Sequence, residues 1–304
     1  MVYTLTLNPA LDYVLRLPSL SMGHTNRARQ EQIFPGGKGI NVAYVLRELG
    51  VEAVALGFVA GFTGDALVSR LKADGINTRF ISLPEGNTRI NIKLKEEGRE
   101  TEINASGPSV PPEALQSLMD KLALLGEGDT LVLAGSIPPS LPRDLYAVMA
   151  EAARGRGVRV VVDAEGETLS AVLPHAPFLI KPNRAELEGV AGRPLPTEQD
   201  LLSAARDLQG RGAQNVLVSL GGEGALLLDA HGNVHRASAH AITPVNTVGA
   251  GDSMLAGFIA GLEDGYASAL ALAQAAGAAT AASEGLAARR EIENFYGPIP
   301  EKFR

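Results

Sequence analysis

Short apolar, β-branched runs alternate with helix-period segments along nearly the whole chain, and no other feature limits the fold so strongly. The runs lie at 2–7 (VYTLTL), 53–59, 130–134, 158–162, 177–180, 215–220 and 225–228. The helical patterns lie between and beyond them, at 39–49, 64–74, 111–125, 142–155, 198–210, 252–263 and 266–283. This alternation predicts an α/β fold, a mostly parallel central sheet flanked by helices on both faces. Gly50 and Gly75 follow two of the helices, where a left-handed C-terminal cap is expected. Ligands of such sheets bind beyond the carboxyl ends of the strands, in the loops that lead into helices.

Two segments depart from the pattern. Residues 10–17 (ALDYVLRL) and 87–105 (NTRINIKLKEEGRETEINA) alternate with period two, the second with a hairpin turn around Glu97-Gly98. Ile90, Ile92 and Leu94 share one face; Arg89, Asn91, Lys93 and Lys95 share the other. They predict a small β-sheet lid, formed by segments of about 10–34 and 87–105, on one domain spanning 1–304. Its apolar face could bury against another subunit while its polar face covers a ligand. A plain solvated strand face fits the same residues.

Composition narrows the function. The 304 residues can bury a sizeable core, and a net charge of −7 argues against a general nucleic-acid surface. With no cysteine, disulfides, thiolate metal sites and a cysteine nucleophile are excluded. Neither a signal peptide nor an apolar stretch of about 18 residues is present. A cytoplasmic location, away from the membrane, is expected.

The chemistry concentrates in glycine-rich turns. PVNTVGAGDSMLAGF (244–258) places Gly249, Ala250 and Gly251 before Asp252, and then an apolar face of Met254, Leu255, Phe258, Ile259 and Leu262. Small residues at a helix entrance let an anion reach free backbone amides, and a carboxylate there can take a proton from an attacking group. Asp252 as a simple dipole-stabilising residue fits equally. Pro35-Gly36-Gly37-Lys38-Gly39-Ile40-Asn41 opens a second helix whose buried side is Val42, Val45, Leu46 and Leu49. It has neither Walker A spacing nor a dinucleotide fingerprint, which argues against a nicotinamide-dependent dehydrogenase. In Lys181-Pro182-Asn183-Arg184-Ala185-Glu186, Asn183 and Glu186 could offer hard oxygens to Mg²⁺ or could form an N-terminal capping pair. Ser219-Leu220-Gly221-Gly222-Glu223-Gly224 and Ala134-Gly135-Ser136 are strand-end turns open to several uses.

Taken together and in this order, TLNPALD, GGKGIN, AGSIPPSLP, KPNRAEL, NTVGAGDS and AAGAATAASEG closely resemble the ribokinase-like (PfkB) carbohydrate kinases, in particular their phosphosugar branch. The resemblance implies a central sheet with a β lid, and a homodimer through that lid. It implies ATP and Mg²⁺, and transfer to O6 of fructose 1-phosphate, giving fructose 1,6-bisphosphate. Transfer to O1 of tagatose 6-phosphate is the alternative, and a non-catalytic sugar-phosphate sensor a more distant one. By motif it implies Asp252 as base, with Gly249, Ala250 and Gly251 as anion hole. Asn183 and Glu186 would organise Mg²⁺ through water. Lys181, Ser219, Gly221, Gly222, Glu223 and Gly224 would meet the nucleotide, with Thr247 and Gly277 on its adenine side. For the sugar it implies Asp12, Gly36, Gly37, Asn41 and Asn91, with Arg27, Lys38, Arg89, Lys93 and Ser136 holding the phosphate. Ribokinases often carry an acidic residue before this last motif, linked to monovalent-cation activation. Val245-Asn246-Thr247 lacks it, so a K⁺ requirement is not implied.

Overall fold

A computed structural model describes residues 1–97 and 99–299. In chain order the strands are β1 (Val2–Thr6), β2 (Ala10–Arg16), β3 (Gln30–Gly36), β4 (Ala53–Ala60), β5 (Asn77–Thr78), β6 (Ile81–Leu83), β7 (Arg89–Glu96), β8 (Arg99–Ile103), β9 (Thr130–Ala134), β10 (Arg159–Asp163), β11 (Leu179–Ile180), β12 (Asn215–Ser219), β13 (Ala225–Leu228) and β14 (Val234–Ala237). The α-helices are α1 (Lys38–Glu48), α2 (Gly61–Ala73), α3 (Pro112–Leu122), α4 (Leu145–Arg154), α5 (Gly166–Val172), α6 (Arg184–Ala191), α7 (Glu198–Gly210), α8 (Ala250–Gly261), α9 (Tyr266–Ala281) and α10 (Arg289–Tyr296).

The main sheet runs β14-β13-β12-β11-β10-β9-β1-β4-β5, with β6 also paired to β4. From β12 to β5 the pairing is parallel; β13 and β14 extend one edge antiparallel. Period-two geometry splits the strands between two cores. Leu131 and Leu133 of β9 join Leu118, Tyr146, Leu187 and Leu201 on one face. Val132 and Ala134 join Val42, Leu46, Leu255 and Phe258 on the other. Burial on both faces explains why these strands read as unbroken apolar runs.

Helix boundaries follow local chemistry. Gly50 (φ 77°) and Gly75 (φ 76°) sit in the left-handed conformation just beyond α1 and α2, as the sequence predicts. Helix α8 starts at Ala250 rather than Asp252, because Gly249 (φ 82°) is the N-cap; Asp252 thus falls inside the first turn. Strands β5, β6 and β14 and helices α5 and α10 lie outside the segments predicted from sequence, while β3 falls mostly within the predicted lid segment without an alternating pattern to mark it. Among the described residues no helix is long and apolar enough to cross a membrane.

The second sheet has the order β3-β2-β7-β8. Strand β2 pairs in parallel with β7, and the outer strands are antiparallel. Glu96 pairs with Arg99 across the hairpin, whose Gly98 lies outside the described residues. The polar face of this sheet turns inward: Asn91 and Lys93 are each 8% exposed. On the outer face, register aligns Ile33, Tyr13, Ile92 and Ile103 in one row across the four strands. Ile33 is 52% and Ile103 55% exposed.

Candidate active site

A cavity of about 540 Å³ opens where the carboxyl ends of β1, β9, β10, β11 and β12 meet the entrances of α1 and α8. Its lining includes Asp12, Lys38, Asn41, Arg89, Ser136, Lys181, Asn183, Glu186, Ser219, Gly249, Gly251 and Asp252. Residues from six separate motifs thus converge on one space, at the end of the sheet where such folds bind ligands.

Asp252 is 6% exposed. Its Oδ2 accepts a hydrogen bond from Asn41 Nδ2 at 2.7 Å. Burial and the negative charge of Asp163 push its carboxyl up to about 6, against the opposing pull of Asn41, Lys181 and Lys38. A carboxylate tuned this way can accept a proton near neutral pH. Beside it, the left-handed Gly249 lays the start of α8 open; a Cβ there would lie 2.6 Å from Leu286. The Ala250 N–H donates to the Thr247 carbonyl at 3.2 Å and is thereby engaged. As first-turn amides, those of Gly251 and Asp252 have no intrahelical acceptor and remain suited to an anion.

Across the cavity floor lies a residue that the motif reading passes over. Asp163, at the end of β10, is 2% exposed and holds Lys38 Nζ at 3.1 Å and Lys181 Nζ at 3.3 Å. Burial alone would raise its pKa, but Lys181 and Lys38 outweigh burial and hold it below the usual range. For Lys38, burial pulls the ammonium down, and the charges of Asp163 and Asp252 more than restore it. Two cations are therefore fixed in the cavity, and Lys181 reaches the start of α8, where a Cβ on Gly251 would lie 3.1 Å from its Nζ. Thr6, Asn8 and Glu165 also line the space without having been singled out. The available signal was positional: each lies at, or just past, the carboxyl end of a strand.

Asn183 and Glu186 form a true capping box: Asn183 Oδ1 accepts from the Glu186 N–H, and Glu186 Oε2 from the Asn183 N–H, both at 2.8 Å. Each group keeps acceptor capacity beyond the cap. No set of three or more His, Cys, Asp or Glu that could hold a metal occurs among the described residues. The oxygens of Asn183 and Glu186 on this cavity suit a Mg²⁺ that keeps most of its waters and leans on phosphate oxygens.

The remaining predicted residues divide. Gly37 lines the cavity. Asp12 does too, and it is bound by Asn91 (3.0 Å) and Lys93 (3.1 Å) from the neighbouring strand. Arg89 donates to the carbonyls of Asn8 (3.1 Å) and Ala105 (3.3 Å) at the cavity rim. The turn Gly221–Glu223 is a 3-10 helix beside Ser219, tied to α6 by a 2.7 Å bond between Glu223 and Arg184. Gly224 (φ 97°) closes it, and Thr247 is exposed on the approach to α8. Arg27, Gly36, Asn91, Lys93, Gly221, Gly222, Glu223, Gly224, Thr247, Ala250 and Gly277 are not part of the cavity lining. Arg27 lies on the exposed segment between β2 and β3. Gly36 packs under Asp12, and Gly277 is buried in α9, where a Cβ would press on Ala250 and Met254. Close packing of α9 on α8 is sufficient reason for that glycine.

Comparison with known proteins agrees with this geometry. Residues 1–292 match the pfkB family carbohydrate kinases. A 1-phosphofructokinase of Bacillus subtilis is 41% identical over 99% of this chain and 98% of its own length. A D-tagatose-1-phosphate kinase of Bacillus licheniformis is 37% identical over 94% of each chain. Among solved structures, phosphofructokinase-2 of Escherichia coli in complex with substrates and products superposes with a TM-score of 0.92, at 31% identity, over 97% of this chain and 98% of that one. A strand-end cavity with a buried carboxylate, a glycine-capped helix entrance and paired lysines thus sits on a matching sequence and a matching fold. The chain belongs to the pfkB family of carbohydrate kinases.

Proposed function

We propose that the chain transfers the γ-phosphoryl group of ATP to O6 of fructose 1-phosphate, giving fructose 1,6-bisphosphate and ADP. The observation that carries this reading is Asp252, a buried carboxylate with a raised pKa at the glycine-capped start of α8. With Oδ2 occupied by Asn41, Oδ1 is free to take the O6 proton as that oxygen attacks the γ-phosphorus. The P–O bond to the ADP bridging oxygen then breaks. Phosphoryl transfer depends on positioning and electrostatics, so no covalent enzyme intermediate is needed.

The free amides at the start of α8 would face the transferred group. Lys181 and Lys38, spaced by Asp163, supply positive charge along its path. Asn183 and Glu186 would hold Mg²⁺ through water, and when bound it neutralises phosphate charge. Ser219 and the Gly221–Gly224 turn border the nucleotide, with Thr247 on the base side. Asp12 reads the sugar hydroxyls, Gly37 and Asn41 assist it, and Arg89 and Ser136 hold the C1 phosphate. Arginine suits that task because its planar fork donates two hydrogen bonds to phosphate oxygens. The four-stranded sheet acts as a lid that limits water in the closed site. Its exposed row of Ile33, Tyr13, Ile92 and Ile103 would bury against a second copy, making a homodimer. ATP and a phosphorylated hexose, both charged and membrane-impermeant, make the cytoplasm the natural location.

The tagatose-1-phosphate kinase relative favours a second reading, because tagatose 1-phosphate differs from fructose 1-phosphate only at C4. ADP release should be compared, as kcat/KM, for fructose 1-phosphate, tagatose 1-phosphate, tagatose 6-phosphate, fructose 6-phosphate and fructose. The expected order puts fructose 1-phosphate first. A preference for a 6-phosphate would reverse the sugar in the site and sink this assignment.

A further inference from the structure

We infer that Lys93 does not hold the sugar phosphate but positions Asp12, fixing the acceptor that reads the sugar's secondary hydroxyls. The inference rests on the kinase reading above and deepens it.

By sequence Lys93 is an attractive phosphate ligand, one of three cations on the polar face of the lid. Its surroundings argue otherwise. Its side chain is 10% exposed, and its Nζ lies 3.1 Å from Asp12 Oδ2 and 3.6 Å from Glu102 Oε1. It lines an adjoining space of about 390 Å³, with Tyr44 and Arg47 of α1, and is not among the residues lining the catalytic cavity. Between Asp12 and Glu102 this ammonium sits in a net negative cluster, which disfavours an incoming phosphate.

Asp12, by contrast, faces both spaces. Its carboxylate is held from three sides. Asn91 Nδ2 donates to Oδ1 at 3.0 Å, Lys93 binds Oδ2, and the group lies flat over Gly36. A Cβ on Gly36 would come within 2.8 Å of the Asp12 carboxyl carbon, so the close approach requires glycine there. One donor on each oxygen leaves each a further lone pair. That is the arrangement needed to accept from two neighbouring hydroxyls without rotating. The pairing also has a simple structural origin: Asp12 and Asn91 are register partners of the parallel β2–β7 pair, and Lys93 is the next residue on that face.

The test separates the two roles by the substrate that feels them. For Lys93→Met, kcat/KM should fall by the same factor for fructose 1-phosphate and for unphosphorylated fructose, roughly tenfold or more, the scale of one charge-assisted hydrogen bond. The loss should sit in the sugar KM, with the KM for MgATP unchanged, and Lys93→Arg should recover most of it. In an Asp12→Asn background, which removes charge and partner together and guards against misfolding, Lys93→Met should cost less than about twofold more. A loss confined to the phosphorylated sugar would overturn the inference, as would no loss at all or factors that multiply in the double variant. A wild-type chain inactive on every ketose phosphate would overturn the kinase reading itself.

Discussion

The two sheets of this molecule invert each other. In the parallel strands of the main sheet both faces are mostly apolar and buried, and charge sits at or just past the strand ends, where Asp163 and Lys181 meet the cavity. In the small sheet the polar face is the buried one, carrying Asn91, Lys93 and Asp12, while Ile33, Ile90 and Ile103 face outward. The first sheet is stabilised by what its faces bury; the second is shaped by what its faces meet. Burial in the single chain therefore marks an apolar core in one region and a network of polar side chains in the other.

Substitutions should reproduce this contrast, and the largest effect belongs to the buried charges at the strand ends. Asp163→Asn leaves Lys38 and Lys181 without their carboxylate and should cost about 3–5 kcal/mol in urea unfolding at neutral pH. Because the pKa of Asp163 is depressed in the folded chain, its stabilisation is present above the unfolded value and lost as pH falls through the folded one. The gap between wild type and variant should thus close in acid. A loss below about 1 kcal/mol, the scale of surface pairs, would break the comparison.

Next comes the main core. Leu133 is fully buried in β9, and Leu133→Ala should cost about 2–5 kcal/mol in the same experiment.

Asp252→Asn should lower turnover at least ~10²-fold while leaving ATP binding nearly intact. In the wild type, kcat/KM should fall roughly tenfold per pH unit below about 6, where Asp252 gains its proton. Stability should move the opposite way. A carboxyl raised from 3.8 to about 6 stabilises the fold only when protonated, and that contribution is lost as pH rises through about 6. Asp252→Asn should therefore be more stable than wild type near pH 8, by on the order of 3 kcal/mol, and lose that advantage toward pH 4. Equal melting temperatures at both pH values would count against the raised pKa.

The smallest effect is reserved for the outer face of the small sheet. Ile103→Ser should change single-chain stability by no more than about 0.5 kcal/mol, yet shift sedimentation velocity toward monomer. A loss like that of Leu133→Ala, with assembly unchanged, would show that the face packs within its own chain.

Much of this was legible because local signals and tertiary demands agree. The apolar faces of α1 and α8 read directly: Val42, Val45, Leu46, Leu49, Leu255 and Phe258 are all fully buried. Gly249 caps α8 and starts it two residues earlier, at Ala250 rather than Asp252, than the apolar pattern alone suggests. What stayed hidden depends on distance in sequence. Asp163 gains meaning only from Lys38, 125 positions away, and from Lys181 on the next strand. Strand β3 escaped because its residues are mostly exposed and carry no alternation. Lys93 was legible as a cation facing inward, but its partner was not, since that partner is set by the register of β7 on β2.

That register has a kinetic consequence. Asp12 and Asn91 lie 79 positions apart, with β3, α1, β4 and α2 between them, so β2 cannot acquire its parallel neighbour until an entire strand–helix–strand unit has been made. The loop-closure entropy of that late pairing falls on the sheet with the smaller apolar reward. The four strands should open and close as one cooperative unit. Amides of β2 and β7 would then exchange with solvent together and early, while those of β1, held between β4 and β9, wait for global unfolding.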